Sequence, residues 1–271
     1  MTRIRIKIAY DGTDFCGFQK LPGKRTVEGA IDSAASLACG EPINIIGASR
    51  TDSGVHALSN VAVFDTECRI PPERMAMAIN ARLPEDVRIT ASEACPSDWH
   101  PRKRASVKTY EYRIYNGRTW DPTRKRYSFF CPYSLDPRAM KEALATLRGT
   151  HDFTSFANPA SQVLLRGGDA VRTIYDASMS WDEKASGILG GIGEIRIRIS
   201  GSGFLYHMVR IICGTVIEVG TGARKASDIQ EILDARDRKK AGMTAGPEGL
   251  ILCSIEYPED QETDKRVSQE G

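Results

Sequence analysis

Asp52 lies in the segment Ser49-Arg50-Thr51-Asp52-Ser53-Gly54-Val55-His56-Ala57, where its neighbours suit it to carboxylate chemistry. A guanidinium such as that of Arg50 keeps a nearby carboxylate charged and oriented, because the cation lowers its pKa. Gly54 lets the backbone turn tightly and brings a ligand close to the main chain. Thr51 and Ser53 can fix the loop through local hydrogen bonds. Asp52 can thus be charged, oriented and exposed, which by itself does not make it a reacting group. The same residues also make a structural ion pair in a turn, and the loop alone does not separate these readings. His56 likewise reads as a general base or as a hydrogen-bonded structural histidine. No second carboxylate at a fixed spacing suggests a glycosidase pair, and no Asp-x-Asp motif suggests an aspartyl-phosphate enzyme.

The whole chain narrows the classes. Its 271 residues are enough for one large core or two packed subdomains, and 41% hydrophobic with 27% charged residues is ordinary for a globular protein. Seven scattered cysteines without a CxxC pair, beside four histidines, argue against a disulfide scaffold or a structural zinc site. No metal is expected. The N-terminus alternates polar and apolar residues instead of forming a signal peptide, and no later run spans a bilayer. A cytoplasmic protein without membrane association is the expectation.

A net charge of +2 says little about nucleic acid, but its distribution says more. Between Pro101 and Tyr127 lie Arg102, Lys103, Arg104, Lys108, Arg113, Arg118, Arg124, Lys125 and Arg126, against only Glu111 and Asp121. Tyr110, Tyr112, Tyr115, Trp120 and Tyr127 are interleaved with them. Cations neutralise phosphates and aromatic faces stack on unpaired bases, so the mixture suits RNA. It equally suits a solvated strand-loop-strand surface with core tyrosines.

The elements that must position these residues follow from periodicity. Arg3–Ala9 alternates as a half-buried strand, and Asp11-Gly12-Thr13 breaks it as a turn. Thr26 caps a helix that Gly40 ends. Ile43–Ile46 and Val61–Phe64 read as strands, Pro72–Ala81 as a helix and Val87–Ser92 as a strand. This β-α-β-β-α-β order is ferredoxin-like. The second half repeats it with insertions: strand Thr109–Tyr115, helix Pro137–Leu147, strands Val171–Trp181 and Ile195–Ile199, helix Phe204–Val219, a helix capped by Ser227 through Leu233, and strand Leu250–Tyr257. Residues 158–168 and 185–193 read as loops. The expected fold is α+β, with halves 1–104 and 105–258 joined around a central cleft, and a frayed polar tail at 259–271.

The Asp52 segment resembles the signature of the tRNA pseudouridine synthase A family, Gly-Arg-Thr-Asp-Ala-Gly-Val-His-Ala/Gly. The similarity extends over nearly the whole chain. It includes Tyr10-Asp11-Gly12-Thr13-Asp14-Phe15-Cys16-Gly17-Phe18-Gln19, Thr26-Val27-Glu28, Trp99-His100-Pro101-Arg102 and Lys108-Thr109-Tyr110-Glu111-Tyr112. His151-Asp152-Phe153-Thr154-Ser155-Phe156, Phe204-Leu205-Tyr206-His207-Met208-Val209-Arg210 and Pro247-Glu248-Gly249-Leu250 continue it in order. The chain departs from the family at Ser49, Ser53, Ile211 and Gly246, none of which is a reacting group.

The resemblance implies a pseudouridine synthase fold and an isomerase acting on uridines 38, 39 and 40 of the tRNA anticodon arm. It implies Asp52 as nucleophile, with Arg210 as the arginine that contacts it. Tyr110 would pack on the target base, and Arg50 would hold the flipped-out nucleotide. His56, Arg102, Lys108 and His207 are further candidates for RNA contacts. A tRNA partner and a homodimer are implied, with no cofactor, consistent with the lack of a P-loop or a Rossmann fingerprint. The alternatives for Tyr110 and Arg210 are a core tyrosine and a solvent-facing helix charge. Two functional rivals stand beside this reading: a non-catalytic tRNA-binding protein of the same fold, and a metabolic hydrolase using Asp52 with Arg50.

Overall fold

The computed structural model describes residues 1–182 and 191–258. In chain order the elements are β1 (Thr2–Tyr10), α1 (Val27–Cys39), β2 (Ile46–Gly47), β3 (His56–Thr66), α2 (Met75–Asn80), β4 (Val87–Cys95), β5 (Val107–Gly117), β6 (Phe129–Cys131) and α3 (Pro137–Thr146). They continue as β7 (Gly149–Asp152), α4 (Gln162–Leu165), β8 (Val171–Asp182), β9 (Gly191–Gly201), α5 (Met208–Gly220), α6 (Asp228–Ala235) and β10 (Leu250–Glu256). The chain forms two compact units, Met1–Val107 with Ile251–Gly271, and Lys108–Leu250.

In the first unit, Ile4, Ile6 and Ile8 alternate along β1 and are buried, as the period of two requires. β1 pairs antiparallel with β3 (Ile4 opposite Phe64, Ile6 opposite Ala62) and with β4. β2 adds to β3 antiparallel, giving the order β4-β1-β3-β2 of a ferredoxin-like α+β sheet. β10 pairs parallel with β3 through Ile251 and His56 and through Leu252 and Ala57. Thr26 caps α1 by accepting from the Gly29 N–H at 3.3 Å, and Gly40 ends it in the left-handed region at φ 72°.

The expected strand at Ile43–Ile46 is shorter, because two of its N–H groups bond elsewhere. Ile43 donates to Ser36 Oγ and Ile45 to Asp32 Oδ1, each at 2.9 Å, so the ladder starts only at Ile46. At the other end of the hairpin, β3 begins at His56, ahead of the expected Val61.

In the second unit the strand order is β5-β9-β8-β7, antiparallel throughout, with β6 parallel to β5. Tyr110, Tyr112 and Ile114 of β5 lie opposite Ile199, Ile197 and Ile195 of β9, and all six side chains are buried. α3, capped by Asp136 through the N–H groups of Arg138 and Ala139, packs on α5 and β8. Every residue of α5 except Arg210 and Glu218 is buried, as expected for a helix apolar on all sides.

Several sequence expectations change in this unit, and its short strands β6 and β7 are not among those expected. α5 starts at Met208 and not at Phe204, because His207 takes φ 63° and the chain cannot enter the helix before it. The 158–168 loop contains the single-turn α4, closed by the Leu165 N–H on the Ser161 carbonyl. Ser227 precedes α6 but does not cap it with its side chain; Asp228 instead accepts from the Lys225 N–H at 3.0 Å. Of the 185–193 loop, residues 191–193 belong to β9 and 185–190 lie outside the described residues, as does the tail at 259–271. No helix among the described residues is long and apolar enough to cross a membrane.

Candidate active site

The Asp52 loop joins β2 to β3, and the turn after β1 holds it from beneath. Tyr10, the last residue of β1, shares a 2.7 Å hydrogen bond with the Thr51 hydroxyl. The Phe18 N–H donates to the Thr51 carbonyl at 3.0 Å, and the Gly54 N–H donates to the Phe15 carbonyl at 3.3 Å. Ser53 Oγ donates to the same Phe15 carbonyl at 3.1 Å. Fully buried Asn60 binds both backbone groups of Ser49: its Nδ2 donates to the carbonyl at 2.9 Å, and its Oδ1 accepts from the N–H at 3.3 Å. Asn60 Nδ2 also reaches Tyr10 Oη at 3.3 Å. A buried polar network pays its desolvation cost only when its members are satisfied, and this one spends its bonds on the loop's main chain.

Two glycines make the close approach possible. A Cβ on Gly12 would sit 2.0 Å from the Val55 carbonyl oxygen. Gly17, at φ 89°, would put a Cβ 2.9 Å from the Thr51 carbonyl oxygen. The Tyr10–Gln19 and Ser49–Ala57 motifs, separate in sequence, therefore form one packed object.

The alternation of the loop sorts its side chains. Ser49 and Thr51 are buried, while Arg50 is exposed and Asp52 half-buried. The turn ion pair expected between Arg50 and Asp52 does not form: Arg50 makes no hydrogen bond or ion pair among the described residues. An exposed pair contributes only about 0–1 kcal/mol, too little to hold a long side chain against solvation. The loop is shaped instead by the network beneath it.

His56, at 4% exposure, accepts at Nδ1 from the Gly12 N–H at 3.1 Å. This bond makes Nδ1 the acceptor and ties the ring to the β1 turn. Asp11 Oδ1 also approaches Nδ1 to 3.1 Å, but that oxygen already accepts from the Thr13 N–H and hydroxyl at 3.0 and 2.6 Å. Arg102 is exposed in the first unit, and its N–H donates to His100 Nδ1 at 3.2 Å.

The second unit carries Tyr110, Lys108, His207 and Arg210. Tyr110, 7% exposed, meets half-buried Phe204 edge-on, with ring centroids 5.2 Å apart at 88°. Phe204 therefore belongs to the surroundings of Tyr110, not to the stripe of α5. Half-buried Lys108 lies two residues earlier on β5, opposite Gly201.

Arg210, in the first turn of α5, is not a solvent-facing helix charge. It is half-buried, its Nε donates to the Ala245 carbonyl at 2.8 Å, and the Ala245 N–H returns to the Arg210 carbonyl at 3.1 Å. The next peptide is held as well, because Tyr112 Oη donates to the Gly246 carbonyl at 2.8 Å. Burial holds the Tyr112 phenol protonated well above its ordinary range, as a donor in that bond must be. His207 precedes α5 with its Nδ1 3.0 Å from Asn158 Nδ2 and its ring 3.9 Å from that of Tyr206.

Sequence reasoning did not single out Asn60, Asn158 or the Ala245 carbonyl, and it read Gly12 only as part of a turn. Tyr10 and Phe18 stood within a recognised motif, but nothing local marked them as the floor of the Asp52 loop. No group of three or more His, Cys, Asp or Glu side chains suited to a metal occurs among the described residues.

Known proteins resemble the chain along almost all of its length. A family model described as tRNA pseudouridine synthase matches residues 6–102 and 143–258. The tRNA pseudouridine synthase A of an Exiguobacterium species is 42% identical over 257 residues, spanning 95% of this chain and 98% of the relative. That of Geobacillus kaustophilus is 42% identical over 259 residues, 95% of each chain. That of Caldicellulosiruptor bescii is 38% identical over 257 residues, 95% of this chain and all of the relative. The Asp52 loop lies within the first span of the family model, the relatives cover about 95% of the chain, and the chain belongs to the tRNA pseudouridine synthase family.

Proposed function

We propose that this chain is a tRNA pseudouridine synthase that isomerises uridines 38, 39 and 40 of the anticodon arm, with Asp52 as its nucleophile. Membership of the family supports the reaction. The observation that carries the residue assignment is the anchoring of the Asp52 loop: its alternate side chains and its main chain are fixed from below, leaving the carboxylate half-buried on a rigid support. A group so held loses little conformational freedom when it reacts, the requirement for a preorganised nucleophile.

In the proposed sequence the target nucleotide leaves its stack, at a cost of about a few kcal/mol. Stacking on Tyr110 and cationic contacts to phosphates from Arg50, Arg102 and Lys108 offset that cost. The Asp52 carboxylate attacks C1′, the N1–C1′ bond breaks, and uracil departs as its N1 anion. The base turns, C5 attacks C1′ and displaces the carboxylate; C5 then gives up its proton and N1 gains one. No electrons enter or leave, so no redox cofactor is needed. Attack of Asp52 on C6 of the base is the rival first step. Arg210, held by the Ala245 carbonyl, is the arginine assigned to Asp52 by the family pattern.

The enzyme is proposed to work in the cytoplasm as a homodimer, and a monomer by light scattering at working concentration would remove the second part. The decisive measurement is pseudouridine mapping of total tRNA after incubation with wild type and Asp52→Ala. Pseudouridine at 38–40 with wild type alone is the expected outcome. Equal modification by both proteins would end the assignment of Asp52, and tRNA binding without modification would favour the non-catalytic alternative.

A further inference from the structure

The two residues that follow Asp52 share one acceptor, the Phe15 carbonyl, which takes Ser53 Oγ at 3.1 Å and the Gly54 N–H at 3.3 Å. The residues before Asp52 have other anchors: Asn60 for Ser49, and Tyr10 with the Phe18 N–H for Thr51. The main chain on the C-terminal side of the carboxylate therefore stands where Phe15 places it.

Phe15 is held in turn by Arg25, which has no part in the proposed reaction. The Arg25 guanidinium carbon lies 3.9 Å from the centroid of the buried Phe15 ring. Its Nη1 and Nη2 donate to the two carboxylate oxygens of half-buried Asp86 at 2.8 and 2.9 Å, and Nη1 reaches the Asp14 carbonyl at 3.4 Å. Asp86 is tied to the same turn by its main chain, its carbonyl accepting from the Asp11 N–H at 3.0 Å. The Arg25 carbonyl accepts from the Cys16 N–H at 2.8 Å. Arg25 and Asp86 thus close a clamp on the turn that carries Phe15. Single exposed ion pairs contribute little, but a bidentate pair fixes the plane of the guanidinium, and that plane here lies against an aromatic ring. A lysine has neither the fork nor the plane.

We propose that Arg25 is a positioning residue for Asp52: gripped by Asp86, it sets Phe15, whose carbonyl sets the main chain that follows the carboxylate. The proposal rests on the reading of Asp52 as nucleophile. A shift of about 1 Å at a reacting group can cost about 100-fold in rate. The anchors before Asp52 stay in place when the clamp opens, so a smaller loss is expected.

Arg25 is exposed, so a contact to a tRNA phosphate is the competing role, and Asp86 separates the two. Asp86→Ala opens the clamp while keeping the cation and removing a negative charge. The test compares wild type, Arg25→Ala, Arg25→Lys, Asp86→Ala and the double alanine variant as full chains, well below their melting temperatures. Single-turnover pseudouridine formation with saturating enzyme, tRNA affinity by anisotropy, and hydrogen exchange at the Gly54 amide are measured on each. Every variant should lose about five-fold in single-turnover rate with unchanged affinity, and the Gly54 amide should exchange faster. The double variant should be no slower than either alanine variant alone, because both open the same clamp.

Wild-type rates in the folded variants, with only a lower melting temperature, overturn the proposal and leave Asp52 as the nucleophile. So does a loss confined to affinity in Arg25→Ala beside wild-type behaviour in Asp86→Ala. If wild-type protein forms no pseudouridine, the catalytic reading falls; the Gly54 exchange then still decides whether Arg25 holds the loop, and unchanged exchange removes the clamp as well.

Discussion

The loop from Ala48 to Val55 is held by buried side chains and by the main chain of a neighbouring turn, at least one bond for almost every residue. The segment from Gly203 to Arg210 is held differently: His207 takes a left-handed conformation and its ring meets Asn158, the Asn158 N–H donates to the Tyr206 carbonyl at 3.0 Å, and Arg210 exchanges bonds with Ala245. In the first region the geometry is over-determined, so single losses are shared among remaining bonds. In the second a single backbone conformation decides where the helix starts, and hence where Arg210 stands. Rigidity at a reactive group can therefore be reached by a dense buried network or by one strained residue at a helix entrance.

Substitutions can break this contrast, and the largest effect is expected at Gly12. In Gly12→Ala the new methyl must displace the Val55 carbonyl, which it would approach to 2.0 Å. A loss of about 3 kcal/mol of stability is expected from such overpacking, with pseudouridine formation falling more than affinity for tRNA. Denaturant melts and a kcat-against-KM comparison check it; a wild-type kcat would show that the turn does not position Asp52.

Asn60→Ala comes next. It leaves both backbone groups of buried Ser49 without their partner, and a loss of about 1–3 kcal/mol is expected. The Tyr10–Thr51 bond remains, so activity at low temperature should survive better than in Gly12→Ala. If both variants lose activity equally, the network is not redundant.

His207 should behave in the opposite way. A left-handed conformation costs an L-residue roughly 1–2 kcal/mol, which glycine avoids. His207→Gly gains that strain back while losing the Asn158 and Tyr206 contacts, so it should lie within about 1 kcal/mol of wild type. His207→Ala keeps the strain and loses the contacts, and should be the less stable of the two. Equal melting temperatures for the two variants would refute the helix-entrance account.

The smallest expected effect lies at the far end of β3. Arg3 donates to both oxygens of Asp65, at 2.8 and 2.6 Å, and these bonds hold the carboxyl below its ordinary range. A depressed carboxylate contributes stability that is present above its unfolded pKa and is lost as the pH falls through the folded one. The Asp65 side chain is 31% exposed, so the contribution should be under about 1 kcal/mol. Asp65→Asn should flatten the acid limb of a stability-against-pH curve and leave the Asp52 loop untouched.

The α1 cap at Thr26 and its stop at Gly40 were legible because helix ends carry residue-specific chemistry. The α5 start was not, since Phe204-Leu205-Tyr206 continues the apolar pattern without a break and only the backbone of His207 departs from it. The short β2 was hidden for a related reason: Asp32 and Ser36, polar residues of α1, take N–H groups that an isolated strand would offer to a neighbour. The Arg50–Asp52 pair was suggested by proximity in sequence, a poor guide where solvent competes for an exposed guanidinium.

By itself the sequence determined the order of elements in the first half, the longer helices and strands of the second, the family, and the loop that carries Asp52. Those follow from periodicity, capping and motif chemistry, all readable over a few residues at a time. Only the tertiary structure decided what holds Asp52 in place: Tyr10, Phe15 and Phe18 from one motif, Asn60 from the strand that follows, and Gly12 and Gly17 at points where a side chain would not fit. Packing distances and buried hydrogen bonds link residues about forty positions apart, and no local pattern encodes them.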